Sequence, residues 1–134
     1  MKPHRFVLAG IVLVAGFALL LPAAVGAAAK ATRTITVTAA KPSEFRFSPS
    51  TKTFPHGTVV FKVKNVGTLP HDFKVCASPK GGTKNSCTGK GTKLIGVRGS
   101  GSLTYTFKTK GTYEYLCTVP GHAAAGMKGD FKVT

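Results

Sequence analysis

From Thr32 to Lys132 the chain alternates polar and apolar residues in short runs, each ended by Gly, Pro or Ser, and nowhere repeats apolar residues at helical spacing. A two-residue period buries one face of a strand and wets the other. The pattern therefore admits packed sheets and excludes a helical bundle. Thr34 to Thr38 shows it first, with Ile35 and Val37 on one side. Glu44 to Phe47 repeats it up to Ser48-Pro49-Ser50, and Val59 to Val63 does so after the turn residues Pro55-His56-Gly57. Phe73 to Val75, Leu94 to Val97, Leu103 to Phe107, Tyr113 to Leu116 and Gly129 to Val133 complete the set. The Gly-, Lys- and Ser-rich stretch from Ser78 to Thr92 reads as an exposed loop. Seven or eight short strands separated by regular turns predict an all-β sandwich. The 134 residues contain no internal repeat and suffice for one such domain, expected over residues 30–134.

Ahead of that domain, Lys2, His4 and Arg5 form a basic start, and Phe6 to Leu21 carries no polar side chain. Pro22 and the small residues Ala23 to Ala29 follow, as at a signal-peptidase site. Residues 1–29 are expected to be a signal segment, which places the domain outside the cytoplasm. The alternative is an uncleaved anchor, since the stretch from Phe6 to Ala29 is long enough to cross a hydrocarbon core of ~30 Å. Only in that case does the protein meet a membrane. No Cys directly follows the apolar run, which argues against a bacterial lipid anchor.

The formal charge is +15, from 19 Lys and Arg against 4 Asp and Glu. The basic residues are spread singly along the strands, without the dense clusters or interleaved aromatic residues of a nucleic-acid site. No nucleic-acid partner is expected. An acidic protein partner fits the charge; a merely solvated basic surface is the plainer alternative.

The chemistry concentrates in Cys117-Thr118-Val119-Pro120-Gly121-His122-Ala123-Ala124-Ala125-Gly126-Met127, where a thiol, an imidazole and a thioether recur at five-residue steps. Upstream, Asn65-Val66-Gly67-Thr68-Leu69-Pro70-His71-Asp72 offers a second imidazole. Two His, one Cys and a weak Met form the ligand set of a blue-copper electron-transfer site. Taken singly, a Cys on a strand is usually a small buried hydrophobe, and a Met is usually core. Met127, however, is the only methionine besides Met1, so it does not belong to a methionine-filled core. A zinc site with an open position is the alternative from the enzyme class. It would draw its general base from Glu44, Asp72, Glu114 or Asp130 and has no use for the thioether. Copper storage or delivery would use the same four ligands.

These motifs resemble the cupredoxins, close to the plastocyanin and azurin type, from about Ile35 to the C-terminus. The resemblance rests on Asn65 to Asp72, on Gly111-Thr112-Tyr113-Glu114-Tyr115-Leu116-Cys117 and on Pro120 to Met127. It implies a Greek-key sandwich or barrel with one copper (Cu+/Cu2+) at one end, and electron transfer in place of enzymatic catalysis. His71, His122 and Cys117 would then lie in a plane around the metal, with Met127 as a long axial ligand. His122 would be the exit for the electron, ringed by an apolar docking patch of Leu69, Val119, Pro120, Ala123 and Ala124. Partners implied are an acidic cytochrome or a membrane respiratory or photosynthetic complex, met by a monomeric carrier.

In the family the residue after the first His is commonly Asn or Ser, and it donates a backbone N–H to the Cys sulfur. Here it is Asp72, whose carboxylate is expected to accept from Thr118. A carboxylate there should favour Cu(II), unless Asp72 simply caps a turn. Cys76 and Cys87 bracket the loose loop, and an exported protein permits a disulfide between them. Two free thiols are the alternative. A binuclear copper site is disfavoured, because only Cys117 lies in the ligand loop. His56 carries no expected role.

Overall fold

The computed structural model of the chain describes residues 32–77 and 87–134. The expected signal segment lies outside the described residues, as does most of the loop that begins at Ser78. Nine strands form among the described residues: β1 (Arg33–Ala39), β2 (Phe47–Pro49), β3 (Thr53–Phe54), β4 (Gly57–Asn65), β5 (Lys74–Cys76), β6 (Gly89–Gly91), β7 (Ser100–Phe107), β8 (Gly111–Leu116) and β9 (Lys128–Val133). β2, β3, β5 and β6 are only two or three residues long, and the nine strands compare with the seven or eight short ones expected.

The strands form two sheets, ordered β2-β1-β4-β7 and β3-β9-β8-β5-β6. β1 runs parallel to β4, β3 parallel to β9, and the other pairs are antiparallel. The chain crosses between sheets after β2, β3, β4, β6 and β7, as in the Greek-key sandwich expected above. In β4 the alternation is strict: Val59, Phe61 and Val63 are buried, while Lys62 and Lys64 are exposed.

Aromatic rings fill the space between the sheets. Phe61 stacks on Phe131 at 5.3 Å, and Phe73 meets Phe47, Phe61 and Tyr115 at 5.2, 5.3 and 5.5 Å. Such offset and edge contacts add roughly 0.5–1.5 kcal/mol per pair beyond the area they bury. Because Phe73 follows Asp72 and Tyr115 precedes Leu116-Cys117, the same rings that make the core also seat the two segments that carry His71 and Cys117.

One expected strand is displaced and another does not form. Glu44 and Phe45 lie in a turn, and the strand there begins only at Phe47. Ala40, at φ 65°, reverses the chain, and its N–H donates to the Arg46 carbonyl across the turn. Leu94 to Val97 forms no strand; only Ile95 bridges to His71, while Leu94 and Val97 are exposed. Cys76 and Cys87 are joined in a disulfide with Cα atoms 5.5 Å apart, which settles their pairing. His56 also has a task, since its backbone N–H and its ring Nδ1 both meet the carbonyl of Thr134 and pin the C-terminus.

Replacing Phe61 by Ala removes a ring in contact with Phe73, Phe107 and Phe131. The apo protein is expected to lose about 3–5 kcal/mol of unfolding free energy. A lowered urea midpoint at unchanged m would show it; an unchanged midpoint would mean the core does not rest on this cluster.

Candidate metal centre

The loop from Cys117 to Met127 is the tip of the β8–β9 hairpin. The ladder's last pair is Leu116 with Lys128, and one step further the Cys117 N–H donates to the Met127 carbonyl at 3.0 Å. Inside the loop the Met127 N–H donates to the His122 carbonyl at 2.9 Å, and the His122 N–H to Val119 at 3.1 Å. Gly121 (φ 84°) and Gly126 (φ 105°) take left-handed conformations that a side chain would resist. The residues that carry the thiol, imidazole and thioether are thus tied together through the backbone without any metal.

His71 reaches the same place from the neighbouring strand. β5 pairs with β8 with Lys74 opposite Leu116. Continuing that register by two places sets Asp72 opposite Thr118 and brings His71 alongside the hairpin tip. His71 exchanges both backbone hydrogen bonds with Ile95, at 3.1 and 2.7 Å. The fully buried Asn65 supports this crossing. Its amide nitrogen donates to the carbonyls of Leu69, Ile95 and Gly96, and its oxygen accepts from the Gly67 N–H.

The outcome is a compact donor cluster. His71 Nδ1 and His122 Nδ1 lie 3.1 Å apart, and the Cys117 Sγ is 3.6 Å from His122 Nδ1. The three donor atoms all fall within 4.8 Å of one another, close enough to bond a single ion. Met127 is buried in the same apolar cluster as Cys117. Two imidazoles and a thiol buried together, with a buried methionine in the same hairpin loop, fit copper by donor type. His122 keeps 9% of its surface exposed, whereas His71, Cys117 and Met127 keep none. Of the four, His122 alone keeps any exposed surface. Of the expected patch, Leu69, Pro120 and Ala124 are exposed, but Ala123 is buried. It faces inward onto Cys76 and Leu116, beside the disulfide.

Burial governs the protonation of the donors. It raises the Cys117 thiol to about 11, against the pull of backbone N–H groups of Asp72 and Val119 that favour the thiolate. A metal must therefore displace a proton to bind there. Burial, followed by the neighbouring His71, lowers the pKa of His122 and favours the neutral ring a metal requires. Asp72 takes the position expected for it: its Oδ1 accepts the Thr118 N–H at 2.5 Å, and its Oδ2 accepts the Thr118 hydroxyl.

Three further residues reach the site without a clear sequence signal, all from the turn between β1 and β2. The Glu44 Oε1 lies 3.0 Å from His71 Nε2 and also accepts the Leu69 N–H. The Glu44 carboxyl is held down at about 2, chiefly by the Thr68 N–H and against the opposing effect of partial burial. The Phe45 ring meets His122 edge-on at 5.0 Å. Arg46 donates to the Ala125 carbonyl at 3.1 Å. These contacts join residues 27, 77 and 79 positions apart, beyond the reach of local patterning. The one available hint was the rarity of acids, with Glu44 among only four.

Residues 32–134 match the family model of copper binding proteins of the plastocyanin/azurin family. The chain is 33% identical over 114 residues to the copper-resistant cuproprotein CopI of Rubrivivax gelatinosus, a match covering 78% of this chain and 68% of that one. Among solved structures it is similar to auracyanin A, a "blue" copper protein of Chloroflexus aurantiacus, at 24% identity and a TM-score of 0.62. That match covers 78% of this chain and all of the other. It is also similar to dithionite-reduced auracyanin from the photosynthetic bacterium Roseiflexus castenholzii, at 26% identity and a TM-score of 0.57, over 77% of this chain and 96% of the other.

Asp72→Ala strips the Thr118 N–H and hydroxyl of their acceptor. The apo protein is expected to lose about 1–3 kcal/mol of stability, with Asp72→Asn losing less. Urea titration of the two variants checks this; equal stability of wild type and Asp72→Ala would show that water replaces the carboxylate at no cost.

Proposed function

Because the chain belongs to the plastocyanin/azurin family of copper-binding proteins, we propose that His71, Cys117, His122 and Met127 hold its copper and that the protein carries single electrons between partners outside the cytoplasm. The observation that carries this reading is the convergence of His71 Nδ1, His122 Nδ1 and Cys117 Sγ within 4.8 Å, at the buried end of the sandwich. Bound there, copper supplies a one-electron couple, because soft sulfur and borderline imidazole donors serve both its oxidation states. The protein's own contribution is to hold the donors still. Cys117 is fixed by its bond to the Met127 carbonyl, His71 by the Ile95 bridge, and the two loops by Asp72 and Thr118.

His122, the one proposed donor residue with any exposed surface, is the natural contact for a redox partner. Val66, Leu69, Leu94 and Val97 are the exposed large apolar residues among those described, and all come from the two loops that Asn65 knits together around His71. A surface with apolar loops and a strongly basic remainder suits an acidic cytochrome or a membrane redox complex, met by a monomer. The disulfide supports a location outside the reducing cytoplasm, reached through the segment at residues 1–29. Electron carriage leaves no place for substrate turnover, so no enzymatic role is proposed.

A second reading, copper handling in metal resistance, is favoured by the likeness to the copper-resistant cuproprotein CopI. Reversible one-electron cycling without metal loss would mark a carrier. Transfer of copper to a competing chelator on reduction would mark a handling protein.

Titrating the apo protein with Cu(II) is expected to produce an intense visible thiolate-to-copper absorption at one copper per chain, and Cys117→Ser is expected to abolish it. Weak, colourless copper binding that the variant leaves unchanged would refute the site.

A further inference from the structure

Glu44, Phe45 and Arg46 are consecutive, and each touches a different part of the copper site: His71, His122 and the loop ahead of Met127. We propose that this turn is a positioning clamp, in which the Glu44 carboxylate holds His71 with its proton on Nε2 and its Nδ1 lone pair toward Cys117 and His122, and so stabilises Cu(II) over Cu(I). The inference rests on the copper reading above and adds to it a residue that sets the ligand's tautomer and the potential.

The carboxylate is built in. Its two oxygens accept the Thr68 N–H and hydroxyl and the Leu69 N–H, all at 3.0–3.1 Å, so Glu44 is fastened to the loop that leads into His71. An ionised carboxylate only accepts hydrogen bonds, so the ring nitrogen 3.0 Å away must carry the proton. That leaves Nδ1 as the lone-pair donor, and Nδ1 is the atom that faces His122. A carboxylate behind a ligating imidazole raises its basicity and fixes its orientation. The negative charge close to the metal favours the higher oxidation state.

Two glycines make room for the clamp. A Cβ at Gly67 would lie 2.4 Å from the Glu44 Oε1, and one at Gly126 would lie 1.6 Å from the Arg46 Nη1. Both glycines belong to the segments that carry the ligands, Gly67 ahead of His71 and Gly126 beside Met127. The turn's two charged side chains thus occupy space that the ligand loops leave open for them. Phe45 completes the contact by packing its ring in an edge-type contact with His122.

Glu44→Gln and Glu44→Ala separate charge from contact, since Gln keeps an oxygen acceptor for His71 and Ala keeps none. In the apo protein, imidazole 15N NMR should find His71 protonated on Nε2 in wild type and in Glu44→Gln, and in mixed tautomers in Glu44→Ala. In the copper-loaded protein, Glu44→Gln should bind Cu(II) about 10- to 100-fold more weakly. Its reduction potential should rise by about 59 mV for each tenfold by which Cu(II) binding weakens relative to Cu(I). A potential identical to wild type in Glu44→Gln, or a wild-type His71 protonated on Nδ1, overturns the proposal. Failure of the copper reading would show separately, as a missing thiolate–copper band in the wild type, and the apo tautomer then decides the role of Glu44 alone. A merely structural Glu44 would lower thermal stability while leaving both the tautomer and the potential in place.

Discussion

The site depends on one backbone hydrogen bond, from the Cys117 N–H to the Met127 carbonyl, which closes the tip of the β8–β9 hairpin. It extends the antiparallel ladder by one step beyond Leu116 and Lys128, so the geometry of the sheet is passed directly to the loop. A hairpin loop of this length would otherwise sample many shapes. Closed at its base, and bonded internally from Met127 to His122, it holds three of the four proposed donors in a fixed relation. Among the described residues, the aromatic core supports that hairpin and the Asn65 and Ile95 loops bring His71 to it.

The support is layered. Phe61, Phe73, Tyr115 and Phe131 pack between the sheets, and two of them adjoin the segments that carry His71 and Cys117. The disulfide and Leu116 lie beneath Ala123, directly beside His122 in sequence. Asn65, fully buried, gathers the carbonyls of two loops that have no strand of their own. A buried amide satisfied this fully is costly to replace, because each stranded carbonyl would bear its own desolvation penalty. The rigidity that the proposed electron carriage requires thus has its source in ordinary packing and hydrogen bonding, present before the metal arrives.

Much of this was legible in the sequence, for physical reasons. Alternation over Val59 to Val63 can only be a half-buried strand, and β4 is one. The equal spacing of Cys117, His122 and Met127 survives folding because the three residues share one loop, so local sequence keeps them together. Glu44 to Phe47 misled because period-two alternation also fits a turn whose Phe and charged residues point to different neighbours. Leu94 to Val97 misled because its apolar residues are largely exposed, with Ile95 alone turned inward. The Glu44–His71 contact was invisible for a further reason. It depends on Gly67, which leaves space for the Glu44 carboxylate, and the sequence shows a missing side chain without showing what fills its place.

Copper K-edge X-ray absorption on the loaded protein in both oxidation states tests most directly whether the fold imposes the site. A preorganised site predicts the same two nitrogen donors and one sulfur donor before and after reduction, with little change in bond length. Loss of an imidazole on reduction would contradict it, and would show a site that yields to the metal.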